Sequence, residues 1–194
     1  MAKEKKQTPK AKVLEIDNNI QEKLELIETI EPLTFAIPPL NLIQEGGNDN
    51  MYNAVNEIAQ TVLLNSNVLF STDRIRSNRA NACCGGWLLH DLGSGLFTLV
   101  NNNKCGCATF RIDFNANITS ATTEAIAFAI KSNGEQIAGT EMDYTPAAAN
   151  VYESVSASTV ITVPFGASKT ISIGNVLGAT NLVKNANIII TKIN

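Results

Sequence analysis

The stretch Ala108-Thr-Phe-Arg-Ile-Asp-Phe-Asn-Ala-Asn117 decides the fold, because apolar and polar residues alternate along it. Side chains alternate across a β-strand, so a period of two buries one face and leaves the other in water. Residues 126–131 and the short apolar runs 160–163, 171–173 and 188–190 continue the pattern, with polar turns between them. Several short strands at this spacing predict an all-β fold, an antiparallel sandwich or barrel.

The composition favours one ordinary domain that carries an appendage and contacts other subunits. The chain has 194 residues, of which 44% are hydrophobic and 17% are charged. An average globular protein has about 25% charged residues. Because the cores of subunit interfaces are depleted of charge, this deficit predicts oligomeric contacts, although the abundant Asn, Ser and Thr can also make a surface soluble.

Charge and motifs argue against several function classes. The net charge of -3 is unlike that of general nucleic-acid-binding proteins, which cluster Lys and Arg against phosphates. We expect no membrane partner, since no apolar run approaches the roughly 20 residues that cross a bilayer. The N-terminus has no apolar signal region, so we expect synthesis in a cytoplasm. Nucleotide-loop, nucleophile-elbow and zinc-protease motifs are absent, which predicts a protein that is not an enzyme and uses no cofactor or metal.

Residues 1–46 have a different character from the rest of the chain. Residues 1–12 carry five lysines and predict a basic arm, which is either a solvated tail or docks on an acidic protein surface or on nucleic acid. An amphipathic helix is predicted within 13–31, followed by a proline-rich linker. The apolar face of this helix consists of Ile16, Ile20, Leu24, Ile27 and Ile30. An isolated helix of this kind is marginally stable, so it must pack on its own domain, on sister subunits or on another protein. Because the sequence changes character after this region, we divide the chain into an anchor segment, 1–46, and a head domain, 47–194.

The start of the head domain predicts two local structures. Residues 51–64 are compatible with a helical turn or two, and 62–70 with a first strand region. Residues 87–90 and 96–100 predict a hairpin about a glycine-rich turn. His90 is the only histidine and is interpreted as a strand-end residue, because Asp91 and Ser94 lie too close in sequence to complete a catalytic triad.

Four cysteines flank this hairpin and are expected to approach one another at its open end: Cys83, Cys84, Cys105 and Cys107. Three alternatives remain open for them. A reducing cytoplasm favours free thiols, exposure after lysis allows one or two disulfides, and four thiolates can hold zinc. The spacings Cys-Cys and Cys-X-Cys are poorer matches to zinc sites than paired Cys-X-X-Cys.

One strand is predicted to be buried on both faces. Small residues alternate with large apolar ones along 125–130, and strands that are apolar on both sides have both sides covered. A subunit interface or a covering helix explains this, and overlapping layers in one large core are the alternative. Residues 160–163 and 188–190 repeat the pattern. The candidates for a trimer interface are Ala125, Ala127, Ala129 and Ile189.

In this order along the chain, segments 67–70, 90–99 and 108–117 resemble a jelly-roll head of the tumour-necrosis-factor type. Residues 126–136, 160–165 and 185–188 continue the resemblance, which covers 57–194. Similar heads occur in structural proteins of phages and prophages and in collagen-like spore-surface proteins. The resemblance implies a jelly-roll sandwich of about ten strands that assembles as a homotrimer. The Gly-X-Y stalk of the spore-surface proteins is absent from this chain.

Together the anchor and the head predict a virion protein, a trimeric head fibre or capsid decoration protein bound to a capsid or other virion protein through residues 1–46. The alternative is a receptor- or glycan-binding adhesion module of a phage tail, a baseplate or a spore surface. Its recognition loops are then 101–104 and 147–152, with Tyr144 and Tyr152 as sugar-stacking rings, unless these rings pack at the rim. Glu141 and Asp143 favour an exposed acidic face over a cation site.

Overall fold

A computed structural model of the protein describes residues 50–76 and 86–194. Within these ranges the chain forms twelve β-strands and no helix, so no membrane-spanning helix occurs there either. The strands are β1 (Met51–Asn56), β2 (Gln60–Leu63), β3 (Thr72–Arg76), β4 (Leu88–Leu89), β5 (Phe97–Val100), β6 (Ala108–Ser120), β7 (Ile126–Ser132), β8 (Glu135–Gln136), β9 (Met142–Tyr144), β10 (Glu153–Val163), β11 (Ser168–Leu177) and β12 (Thr180–Lys192). The all-β prediction is confirmed.

The strands form two six-stranded antiparallel sheets. Sheet A has the order β10-β6-β12-β1-β3, and β2 pairs with β12. Sheet B has the order β4-β5-β11-β7-β8, and β9 pairs with β7. Most neighbours in a sheet are distant in sequence, because the chain passes repeatedly from one sheet to the other. This connectivity is that of a sandwich with crossing connections rather than a simple meander.

The core lies between the sheets and follows the alternation seen in the sequence. Phe110, Ile112 and Phe114 point inward from β6 and are at most 2% exposed. They meet the inward residues of the neighbouring strands and of sheet B, which include Tyr52, Phe70, Phe97, Ile126, Phe128, Ile130, Ile171, Ile173, Ile188 and Ile190. Full burial of each such side chain contributes on the order of 1.5–3 kcal/mol, so this interior provides the main stabilisation of the domain.

Strand β7 is buried on both faces within a single chain. Its outward residues Ala127 and Ala129 are 0% exposed and Lys131 is 9% exposed. The aliphatic part of Lys131 lies across Gly174 on β11, where an added Cβ would come within 2.5–2.8 Å of its last three atoms. The prediction of burial on both faces is confirmed for β7. Val160 on β10 is 58% exposed in the single chain, so covering of both faces of 160–163 by a neighbouring subunit stays a prediction.

The helical turn predicted within 51–64 is wrong. This segment forms β1 and β2 instead, and β1 is hydrogen-bonded between β12 and β3. Two of the three residues that suggested a helical period, Val55 and Val62, are buried, whereas Ile58 is 75% exposed. Pairing on both sides of β1 therefore overrides a weak local pattern. Of the strand region predicted over 62–70, only the first two residues belong to a strand, since β2 ends at Leu63. Val68 is buried in the core and its backbone amide donates a hydrogen bond to Ile173 of β11.

The hairpin predicted around residues 91–95 is confirmed. Leu88 pairs with Leu99 and Leu89 pairs with Thr98. Gly95 in the turn lies against the backbone of the extended segment, because an added Cβ would be 2.6 Å from the Val68 carbonyl oxygen and 2.9 Å from Cβ of Asn67.

We expect Gly95→Ala to reduce the free energy of unfolding by about 1–3 kcal/mol, since the new methyl group meets backbone that cannot move alone. Gly174→Ala is the matched control, because its methyl group meets only the flexible end of Lys131 and should cost less than about 1 kcal/mol. Urea unfolding of both variants measures the difference. Equal effects would show that the contact between Gly95 and Val68 does not constrain the turn.

Candidate functional site

Three buried polar side chains from separate elements meet at one end of β1. Tyr52 lies on β1, Asp73 on β3 and His90 directly after β4. We call these three residues the Tyr–Asp–His cluster. The side chain of His90 is 0% exposed and that of Asp73 is 11% exposed. His90 also stacks on Phe97, with ring centroids 4.2 Å apart.

The tyrosine hydroxyl connects the other two members of the cluster. Tyr52 donates a hydrogen bond to Asp73 Oδ1, and its oxygen lies 2.6 Å from His90 Nδ1. His90 Nδ1 is also 3.5 Å from Asp73 Oδ1. Arg76 Nε lies 3.4 Å from Asp73 Oδ2 at the solvent side of the cluster. Each carboxylate oxygen of Asp73 therefore faces at least one donor.

Proton counting fixes the direction of these hydrogen bonds. A tyrosine hydroxyl has one proton, so when that proton is donated to Asp73 the contact with His90 Nδ1 requires a proton on the imidazole. The other ring nitrogen, Nε2, is 3.3 Å from the backbone carbonyl of Ser94, which is also an acceptor. In this arrangement His90 Nδ1 is the donor and the Tyr52 hydroxyl oxygen is the acceptor.

The two oxygen acids of the cluster have opposite pKa shifts. Burial raises the pKa of Tyr52 far above its usual value, and the hydrogen bond to Asp73 adds to that effect. Burial alone would also raise the pKa of Asp73, but the hydrogen bonds from His90 and Tyr52 and the charge of Arg76 hold it below its usual value. Asp73 is therefore a stable carboxylate and Tyr52 a stable phenol at neutral pH.

The cluster holds strands together and is not positioned to meet a substrate. It joins β1, β3 and the turn of the β4–β5 hairpin through side chains that solvent hardly reaches. The expected strand-end position of His90 is confirmed, but its partners are Tyr52 and Asp73, not the nearby side chains of Asp91 and Ser94. Sequence reasoning missed Tyr52 and Asp73, because 38 and 17 residues separate them from His90 and no spacing motif connects them.

A polar groove opens on the far end of β1. Two adjoining cavities of about 330 and 490 Å³ share Val55, Glu57 and Arg74 in their linings. Glu57 and Arg74 form an ion pair with each other, and both side chains are more than half exposed. Because the two charges already satisfy one another in contact with water, the groove presents no isolated charge for a ligand.

The outward surface of sheet A is mainly polar. On β6 this surface carries an ion pair between Arg111 and Asp113, with Nε and Oδ2 2.9 Å apart. Ser158 on β10 donates a 2.7 Å hydrogen bond to Asp113, and Asn117 donates one of the same length to Ser154. Short Ser and Asn side chains thus cross-link neighbouring strands on a flat surface that apolar packing does not cover.

Strand β10 is the edge of sheet A and is incompletely covered. Its inward residues Val155 and Ala157 pack against the core but are only half-buried. On its outward side, exposed Val160 pairs with Arg111 of β6. Ile189, on β12, is half-buried on the same outward surface and pairs with Asp113. Val160 and Ile189 are therefore two apolar side chains on the outward surface, with the Arg111–Asp113 ion pair of β6 between them.

The predicted interface residues have different surroundings. Ile189 lies on the outward surface of sheet A, and Ala125 is exposed in the turn before β7. Ala127 and Ala129 are fully buried within the chain, so they have no accessible surface to offer a neighbour. No second copy is present to test the interface itself. The anchor-helix face of Ile16, Ile20, Leu24, Ile27 and Ile30 lies outside the described residues.

The described cysteines, Cys105 and Cys107, are free and exposed in the loop between β5 and β6. Cys83 and Cys84 lie outside the described residues, so the predicted four-cysteine cluster is untested. Within the described ranges, no group of three or more His, Cys, Asp or Glu is arranged to hold a metal ion. Glu141 is exposed and accepts a 3.0 Å hydrogen bond from Gln136.

The two candidate sugar-stacking rings are partly occupied. Tyr144 packs against the core from β9. Lys184 Nζ lies 3.8 Å from the ring centroid of Tyr152, which covers one face of that ring. Asn101, at the start of the other candidate loop, is 2% exposed and uses its side-chain amide to hold the loop. Both predicted loops therefore contain residues that serve the fold.

We expect Asp73→Asn to lower the free energy of unfolding by about 1–3 kcal/mol at pH 7, because it removes the charge that His90, Tyr52 and Arg76 face. Since the folded-state pKa of Asp73 is lowered, its contribution is fully present above the unfolded pKa and is lost as pH falls through the folded one. The difference between wild type and variant should therefore shrink from pH 7 to about pH 3.

Urea titrations at both pH values measure this effect. Asp91→Asn is the matched control, because Asp91 is exposed on the same hairpin and its loss should change little. A deficit in Asp73→Asn that does not depend on pH would contradict the charged cluster.

Known proteins are similar to this chain in structure but not in sequence. No protein-family model matches the sequence, and no curated protein matches it. Among solved structures, the chain is similar to the Eiger TNF of S. frugiperda, with 7% identity, a TM-score of 0.53 and coverage of 75% of this chain and 92% of that one. It is also similar to murine APRIL at pH 5.0 and pH 8.0, with 10% identity, a TM-score of 0.52 and coverage of 74% of this chain and 98% of the other. At such low identity these similarities establish a jelly-roll head of the tumour-necrosis-factor type as the fold of this chain, and no more than the fold.

Proposed function

We propose that the protein is a non-enzymatic virion structural protein, a homotrimeric head fibre or capsid decoration protein. In this proposal residues 1–46 bind the capsid or another virion protein, and the jelly-roll head is displayed on the particle. The observation that carries the proposal is the open edge of sheet A, where a complete jelly-roll head leaves apolar residues half covered.

The geometry of that edge supports self-association. Val155 and Ala157 belong to the core yet stay partly exposed, and Val160 and Ile189 add apolar area on the outward surface. The surrounding Ser and Asn side chains are short and make hydrogen bonds along the sheet, so a neighbouring copy can approach closely. Interfaces commonly combine an apolar centre with such a polar rim. The resemblance to heads of the tumour-necrosis-factor type implies that three copies assemble.

A non-enzymatic role is supported by where the ionisable groups lie. The Tyr–Asp–His cluster is buried, and the charges of the groove, Glu57 and Arg74, pair with each other. Catalysis needs a nucleophile or an acid–base group within reach of a substrate in a concave site. Within residues 50–76 and 86–194, neither the buried cluster nor the paired charges of the groove provides such a group.

The glycan-binding alternative is less well supported. A sugar ring stacks on an aromatic face that is open to solvent, but Tyr144 packs on the core and one face of Tyr152 is covered by Lys184. Weak binding multiplied by many copies would still be compatible with display on a particle. A glycan array probed with the full-length protein distinguishes the two roles, since a pure decoration protein should bind no glycan selectively.

We expect light scattering to give a trimer for the full-length protein and for a chain that starts at Gly47, because the open edge lies in the head. Co-sedimentation with empty capsids should be lost in the shortened chain while its β-sheet circular dichroism is retained. A monomer in both cases would overturn the trimer. Shortened heads that still co-sediment would overturn the role of residues 1–46 as the anchor.

We expect Val160→Asp to shift the head from trimer to monomer by at least about tenfold in dissociation constant, since it places a charge inside the proposed apolar contact. The side chain is exposed in the single chain, so folding should be unaffected. Leu92→Asp, at an exposed apolar position in the β4–β5 turn, is the matched control and should remain trimeric. Equal behaviour of the two variants would place the contact elsewhere.

A further inference from the structure

The loop between β5 and β6 presents two thiols that neither the fold nor the proposed function uses. Cys105 and Cys107 are free and exposed, and a single glycine separates them. Both cysteines are exposed, whereas the core residues on either side of the loop, Leu99 and Ala108, are fully buried. Chemistry at these thiols would therefore not disturb the packed interior.

The loop is held at its base by a buried amide. Asn101 Nδ2 donates hydrogen bonds to the carbonyl oxygens of Gly106 at 3.0 Å and Val163 at 2.9 Å, and its Oδ1 accepts one from the Asn103 amide at 2.9 Å. Lys192 Nζ also donates a hydrogen bond to the side chain of Asn103. These bonds fix the backbone on which the two cysteines stand.

The glycine shapes the backbone between the thiols. Gly106 has a φ of 76°, in the left-handed region that glycine adopts without strain, and an added Cβ would meet no atom within 4 Å. The residue is therefore required for conformation, not for space. A fully extended chain separates alternate Cα atoms by roughly 7 Å, slightly beyond the usual span of a disulfide of roughly 4.4–6.8 Å. Residues 104–106 form a bend and Gly106 has a positive φ, so this segment is not extended.

We propose that Cys105 and Cys107 form a reversible dithiol–disulfide site that exchanges with low-molecular-weight disulfides such as glutathione disulfide. This inference is independent of the proposed virion role. One cysteine thiolate attacks the small disulfide, forms a mixed disulfide and releases one small thiolate. The second cysteine thiolate attacks the protein sulfur of that mixed disulfide, closes the Cys105–Cys107 bond and releases the second small thiolate. The two cysteines lose two electrons and two protons, and the small disulfide gains them as two thiols.

The sequence allows this pair to be measured separately from the other cysteines. Trypsin cleaves after Lys104 and Arg111 and yields a peptide, 105–111, whose cysteines are Cys105 and Cys107. The preceding peptide, 80–104, carries Cys83 and Cys84. The full-length protein is equilibrated with graded mixtures of reduced and oxidised glutathione, alkylated, digested without reductant and analysed by mass spectrometry.

We expect peptide 105–111 to appear two hydrogen atoms lighter, without alkylation, as the oxidised fraction of glutathione rises. The variant with both Cys83→Ser and Cys84→Ser should show the same midpoint. Cys105→Ser lacks one partner, so Cys107 should retain glutathione at a level at least about tenfold above wild type, because intramolecular closure otherwise removes it. The exposed position keeps this variant folded, and circular dichroism checks that.

Three results would overturn the proposal. The first is a cross-link between peptides 105–111 and 80–104 in place of the internal bond. The second is stable glutathione on both cysteines of one peptide, and the third is loss of the internal bond when Cys83 and Cys84 are replaced.

Discussion

Strand β6 is the element on which the sandwich depends. It pairs with β10 on one side and β12 on the other over almost all of its thirteen residues. Its inward Phe110, Ile112 and Phe114 reach the middle of the core, and its outward residues organise the polar surface of sheet A. A shift of its register by one residue would exchange these two faces, so both the core and the polar outward surface are set by the same pairing.

The two ends of the domain are held by polar contacts. At one place the Tyr–Asp–His cluster joins β1, β3 and the β4–β5 turn, and at another Asn101 joins the β5–β6 loop to the end of β10. Such buried polar groups cost free energy unless they are paired, so each contact specifies one arrangement of its loop. Apolar packing supplies the stability, and these hydrogen bonds determine how the connections are placed.

The sequence predicted what depends on local periodicity. The alternation along 108–117 predicted β6, and the glycine-rich turn at 91–95 predicted the β4–β5 hairpin. The helical interpretation of 51–64 was wrong because β1 pairs with β12, a strand that lies far away in the sequence. The contact between Tyr52 and His90 could not be predicted either, because no local sequence pattern connects residues 38 positions apart. The alternation along 125–130 predicted the burial of Ala127 and Ala129, but not the path of the Lys131 side chain across Gly174, because that is a tertiary contact.

The edges of sheet A differ in a way that bears on aggregation. Edge strand β3 carries Asp73, Arg74 and Arg76, and charges of this kind discourage pairing with other strands. Edge strand β10 is eleven residues long, and Glu153 is its only charged residue. An uncovered edge of this kind is a template to which a strand of another chain can add. The risk of fibril formation is therefore concentrated at β10 and not at β3, and a charge introduced on β10 should reduce it.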